Sequence, residues 1–214
     1  MSTSENRRFA LVGPLTVVLW IAGIILLHHN GPADHPTGSQ ILAWYKSDSD
    51  TIVMGAWLFM LGCLGFVTLV AGLRVRLVEA AGSASQLPGL ALAGAAMAAV
   101  CGMLTAAVEL AGGIDKNDID PATAATFHHS TDIFFTGVEM AAILPLAAVA
   151  IVAWRTRVLP RWWAAFTGLV AIVLIVGPIG WIGVIFGLPL FTLGTSLLVL
   201  LGSRERVRAA AAKA

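Results

Sequence analysis

The segment TFHHSTDIFFTGVEM, residues 126–140, places two imidazoles and two carboxylates along a run that is otherwise apolar. On a helix, His128 and Asp132 are four residues apart, and Glu139 follows seven later, so all three fall on roughly one face. Neutral imidazole and carboxylate oxygen are the donors that bind zinc or iron, and the same groups exchange protons near neutral pH. Glu109 ends the preceding apolar run, with Thr105 four residues before it on the same face. His28 and His29 close the first apolar run and could join His128, His129, Asp132 and Glu139 around a divalent metal. No HExxH, ExxH or cysteine cluster accompanies them.

Glu139 is the residue that most needs an explanation. It lies about eight residues, on the order of 12 Å, inside an apolar segment. A carboxylate at the centre of a membrane helix costs roughly 2.5–3.5 kcal/mol on insertion scales, which calls for a partner nearby. Three readings follow. The first is a metal or proton site built on His128, Asp132, Glu139 and Glu109. In the second, Glu109, Asp132, Glu139 and Thr105 line a pocket for a small cationic or lipid-like ligand. The third gives these residues no chemistry: the histidines sit at a water interface, Asp132 caps its helix, and Glu109 and Glu139 bond to each other or to Thr105 and Thr136.

The elements that position these groups are set by composition. The 214 residues are 58% hydrophobic and 12% charged, with mean hydropathy +0.87. A soluble domain carries about a quarter charged residues, so this is expected to be one integral membrane domain spanning residues 1–214. Apolar runs lie at about 9–28, 51–73, 88–112, 131–154 and 162–202. The last would make about 60 Å of helix against a hydrocarbon core of about 30 Å. Gly177-Pro178-Ile179-Gly180-Trp181 breaks it into 162–177 and 181–202, giving six transmembrane helices in an all-α polytopic bundle. Arg7 and Arg8 ahead of the first run resemble a signal peptide, but no small-residue cleavage pattern follows, so that run is read as a retained helix.

Eleven of the thirteen lysines and arginines support this count: Arg7, Arg8, Arg74, Arg76, Arg155, Arg157, Arg161, Arg204, Arg206, Arg208 and Lys213 all fall on one side. Only Lys46 and Lys116 fall opposite. Positive loops stay cytoplasmic, so both termini are expected inside, and the histidines and most aspartates outside. In the outer loops, Ser39 can cap a short interfacial helix that lays Ile41, Leu42, Trp44 and Tyr45 against the headgroups. Asp120-Pro121 can start another helix, which must break or extend beyond the membrane near residues 128–131. Together the two loops would form a thin outer cap.

Rows of small residues at a spacing of four, Ala91, Ala95 and Ala99 and also Gly94, Ala98, Gly102 and Ala106, make the third span a close-packing, central helix. Gly183 and Gly187 repeat the pattern in the sixth. Arg161-Trp162-Trp163 reads as a membrane anchor, and Cys63 and Cys101 as buried apolar residues rather than a disulfide. The basic tail is explained by topology and anionic lipid, with no aromatic interleaving to indicate nucleic acid. Nucleophilic catalysis lacks any GxSxG or Gly-rich phosphate loop.

The segments SQILAWYKSDSDTIVMGAWLFMLG and RTRVLPRWWAAFTGLV, with the Ala/Val/Leu/Arg bias, resemble a group of uncharacterised six-helix integral membrane proteins of actinobacteria, which carry a domain of unknown function. That resemblance implies a six-helix bundle in a bacterial inner (cytoplasmic) membrane and carries over no functional residues. The expected function is that of a plasma-membrane protein that binds or passes a small ligand, or supports an envelope complex, through a polar outer vestibule. The alternative is a metal-dependent enzyme opening outward.

Overall fold

The computed structural model describes the backbone of residues 3–32 and 34–211, and side chains over 11–201 except at 33 and 178. The basic residues expected at 7, 8, 204, 206, 208 and 213 therefore lie outside the described side chains. The described residues form helices and no strand: α1 (Thr3–Leu27), α2 (Gly38–Ala81), α3 (Leu87–Ile114), α4 (Pro121–Thr156), α5 (Arg161–Ile175), α6 (Gly177–Ile182), a π-turn (Gly183–Gly187) and α7 (Leu188–Ala211). The last three are continuous, so the bundle has six helical rods.

Four rods are long and apolar enough to cross a bilayer: α2, α3, α4 and the stretch Ile179–Leu201. The other two apolar helices are shorter, Leu11–Leu27 and Arg161–Ile175. The fifteen residues of α5 make about 22 Å of helix, less than a full hydrocarbon core. Large apolar side chains such as Leu15, Trp57, Met97, Leu169 and Ile172 stand outward around the bundle, the inverse of a water-soluble surface.

Neighbouring rods in the chain pack against one another, and α7 closes back onto α1. The third rod does pack at close range. Its Gly94 faces Leu144 and Pro145 of α4, and its Gly102 faces Cys63 of α2. Pro145 projects its ring toward α3 at the point where α3 has no side chain. The central helices are α2 and α4, however: α2 touches α1, α3, α4 and α7, and α4 touches α2, α3, α5 and the α6–π-turn stretch, whereas α3 packs chiefly on α2 and α4.

The end where α2 and α4 begin departs from expectation. The cap of α2 is Thr37, not Ser39: the Thr37 hydroxyl accepts from the Gln40 N–H, and the Gln40 side chain accepts from the Thr37 N–H. A short helix over residues 38–47 is present as expected, and it joins the span through a kink at Asp48 (φ −117°, ψ 18°). Ile41, Trp44 and Tyr45 are buried against protein instead of lying in headgroups. Gly38 abuts the Pro121 carbonyl, so the starts of α2 and α4 meet.

The start of α4 is as the sequence indicates, with Asp120 as N-cap and Pro121 in the first turn. Asp120 Oδ1 accepts from the Thr123 N–H at 2.7 Å, which holds this carboxyl below the usual carboxylate range. The helix then runs unbroken past His128 to Thr156, so the break expected near residues 128–131 does not occur. Asp132 consequently caps nothing.

At the opposite end, Gly82 closes α2 at φ +83°, a conformation that favours glycine, with its N–H on the Val78 carbonyl. The break between the last two rods is one residue, Val176. The Trp162 ring is exposed, but Trp163 is not an anchor: it is buried, and its indole N–H donates to Thr195 Oγ1 of α7 at 3.1 Å. Gly183 and Gly187 pack against Leu174 and Val170 of α5. Cys63 and Cys101 are both free, the first buried and the second half-buried.

Candidate functional site

At the end of the bundle where α2 and α4 begin, three helices converge on Glu109. Tyr45 Oη of α2 donates to Glu109 Oε2 at 2.8 Å, and His128 Nδ1 of α4 lies 3.0 Å from Glu109 Oε1. Both carboxylate oxygens are thus engaged. The local sequence makes room for this: Gly112, three residues after Glu109 on the same face of α3, lies directly under the Tyr45 ring, where any Cβ would collide. Tyr45 is the only tyrosine in the chain and is fully buried.

Trp44 secures the other side. Its ring stacks on Tyr45 at 5.2 Å and meets His128 edge-on at 5.8 Å. Its indole N–H donates to the His29 carbonyl at 3.1 Å, which ties in the end of α1. Around this core, Asn30 donates to Asp48 at 3.0 Å and Lys116 bonds to Ser49 Oγ. Glu109 is nearly closed off, whereas a quarter of the His128 side chain is exposed. His128 is therefore the group through which the buried carboxylate meets the protein surface. An imidazole hydrogen-bonded to a buried carboxylate can pass a proton or orient a polar ligand at its free nitrogen.

The residues expected to form one site divide into separate places. Glu109 and His128 come together. Their contact puts Glu109 level with His128, outward of Asp132, and not between Asp132 and Glu139 as the helix register alone suggests. Asp132 is exposed one turn below His128. His28, His29 and His129 are exposed; the His28 ring bonds to the Ile24 carbonyl of its own helix, and the His129 ring lies 6.3 Å from that of His128. Thr105 and Thr136 bond neither carboxylate: their hydroxyls donate back to the carbonyls of Cys101 and Asp132, four residues earlier.

Glu139 lies apart from the cluster. It is buried, and no donor among the described residues bonds its carboxylate, which rests against the backbone of Gly180 in α6. No group of three or more His, Cys, Asp or Glu among the described residues is placed to hold a metal ion. The donor set proposed from the sequence is thus scattered over the exposed surface, the Glu109 pair and the α5–α6 break.

Two members of the cluster, Trp44 and Tyr45, were not expected in it. Their spacing with Ile41 marks an apolar face, but that pattern fits a headgroup layer and a protein neighbour equally well. The pair Gly112-Gly113 beside Glu109 was the available hint of a close approach.

Fold and site together define an all-α helix bundle with membrane-spanning helices and a polar cluster at one end. No family model, curated protein or solved structure matches the chain.

Proposed function

We propose that this is a six-crossing protein of an actinobacterial cytoplasmic membrane, with both termini inside, that binds a small cationic ligand at its outer end. The observation that carries this reading is the buried Glu109 carboxylate, gripped by Tyr45 and His128 beneath an acidic rim. Aspartates outnumber lysines seven to two on that side, a bias that raises the local concentration of cations. The short α5 completes its crossing by local thinning of the bilayer, helped at the inner edge by Arg161 packed over the Trp154 ring at 5.7 Å. The metal-enzyme alternative is less favoured, because among the described residues no third His, Cys, Asp or Glu joins Glu109 and His128.

Two measurements test this. In a chain lacking Cys63 and Cys101, an impermeant maleimide applied to intact cells should label Asn117→Cys and leave Ser83→Cys unlabelled; the reverse pattern would sink the orientation. Calorimetry with tetraethylammonium should then show binding that weakens with added salt and is lost in Glu109→Gln. Binding indifferent to both would remove the cationic-ligand reading and leave the cluster as a structural clamp.

A further inference from the structure

A cleft of about 540 Å³ lies between α1 and the π-turn–α7 rod, and its floor is built by α2, α3 and α4. That size is within the usual range of ligand pockets, about 300–1,000 Å³. Cys63, Gly102 and Val138 form part of the floor, with Phe59, Phe66 and Trp20 beside them. Every wall residue falls within one of the apolar spans, from Ile25, Phe135 and Val184 near one end to Phe66 and Leu193 nearer mid-span.

The cleft has a definite origin in packing. At the inner end α1 and α7 touch, with Gly13 against Ser196 and the Thr192 carbonyl. Further out they part, where α1 carries Ile21, Ile24 and Ile25 and the facing rod passes through the π-turn. A π-turn adds a residue to the helical ladder and is often found at functional sites. Here it sends Val184 inward and leaves Ile185 and Phe186 on the rim. The rim residues Ile21, Ile25, Phe186 and Leu190 are all exposed, so the cleft opens sideways, toward the medium around the helices.

We propose that this cleft binds one acyl chain of a bilayer phospholipid, which enters laterally between α1 and α7. The proposal rests on the membrane-spanning reading but not on the outer polar site. Its physical basis is exclusion: a space of this size walled by hydrocarbon offers water no partners, and at this depth acyl chains are the medium that reaches the rim. Lipid ordinarily contacts only outward faces. Here the chain passes behind α1 and touches three helices that α1 and α7 otherwise screen.

The test uses the full-length protein in nanodiscs of phosphatidylcholine and phosphatidylglycerol, doped with phosphatidylcholine bearing a diazirine on its acyl chain. After illumination, labelled positions are mapped by peptide mass spectrometry. The expected result is adducts on Phe59, Cys63 and Val138, together with outward residues such as Leu15 and Ile172. Ala99→Leu, which fills the floor, should abolish the floor adducts and leave the outward ones. If that variant does not fold, Ile21→Trp, which narrows the mouth from an exposed position, should do the same. Outward adducts with the floor at the background of buried Leu73 overturn the proposal, as does a second copy of this chain cross-linked across the cleft in place of lipid. Absence of adducts everywhere would instead overturn the membrane reading on which the proposal rests.

Discussion

Glu109 and Glu139 are equally buried, each with 7% of its surface exposed, yet they are held in opposite ways. Glu109 is fixed by directed bonds from two other helices, while Glu139 is fixed by shape, in the space left by the missing side chain of Gly180. Burial of a carboxylate is costly in either case, and hydrogen bonds offset the cost only for Glu109. Intramembrane acids therefore need not share a role. One joins helices α2, α3 and α4 at one end of the bundle, and the other packs into a helix break.

The contrast can be broken most directly by removing the Glu109 carboxylate. Glu109→Ala orphans the Tyr45 hydroxyl and the His128 imidazole, and should lower stability by on the order of 3 kcal/mol in thermal or denaturant unfolding in detergent. Glu139→Gln should cost much less than Glu109→Gln in the same assay, since no bond is lost; equal costs would erase the distinction.

Shape can be tested from the other side. A Cβ at position 180 would lie 2.8 Å from Glu139 Oε2 and 3.3 Å from the Leu174 carbonyl oxygen. Gly180→Ala should therefore destabilise by about 1–3 kcal/mol, and adding Glu139→Ala should recover part of that, a coupling read from a double-mutant cycle. Additive effects would show that the two residues do not meet.

Tyr45→Phe keeps the ring over Gly112 and removes one bond to Glu109, for a loss of about 1 kcal/mol. The smallest effect concerns the entry of α4. The bonded state of Asp120 has its pKa lowered, so its capping contribution is present above the usual carboxylate range and lost as pH falls through the depressed value. Protection of the first-turn amides of α4, taken relative to their intrinsic exchange rates, should fall on acidification in the wild type and show no such pH-linked fall in Asp120→Ala.

Hydropathy and the breaker at residues 177–181 foretell the six rods, because each depends on local composition. The Asp120-Pro121 start is legible for the same reason. The cluster is not: Tyr45 and Glu109 are 64 residues apart, and nothing in either neighbourhood specifies the other. The extension at 38–47 shows the same gap between pattern and partner. Periodicity identifies the face carrying Ile41, Trp44 and Tyr45 as apolar, but what covers that face depends on how far α4 projects from the membrane. Glu139 stood out correctly as an anomaly, but a glycine recess has no charge or polarity to mark it in the sequence.

The π-turn at Gly183–Gly187 also sets the phase of everything after it. Each residue advances an α-helix by about 100°, so deleting one there would restore regular winding and swing α7 around its axis. Thr195 would then no longer face Trp163, and Ser196 would leave Gly13. One inserted residue thus works as an angular offset that lets a single rod satisfy two differently oriented neighbours, and a length change in this glycine-bounded turn should be worse tolerated than any substitution within it.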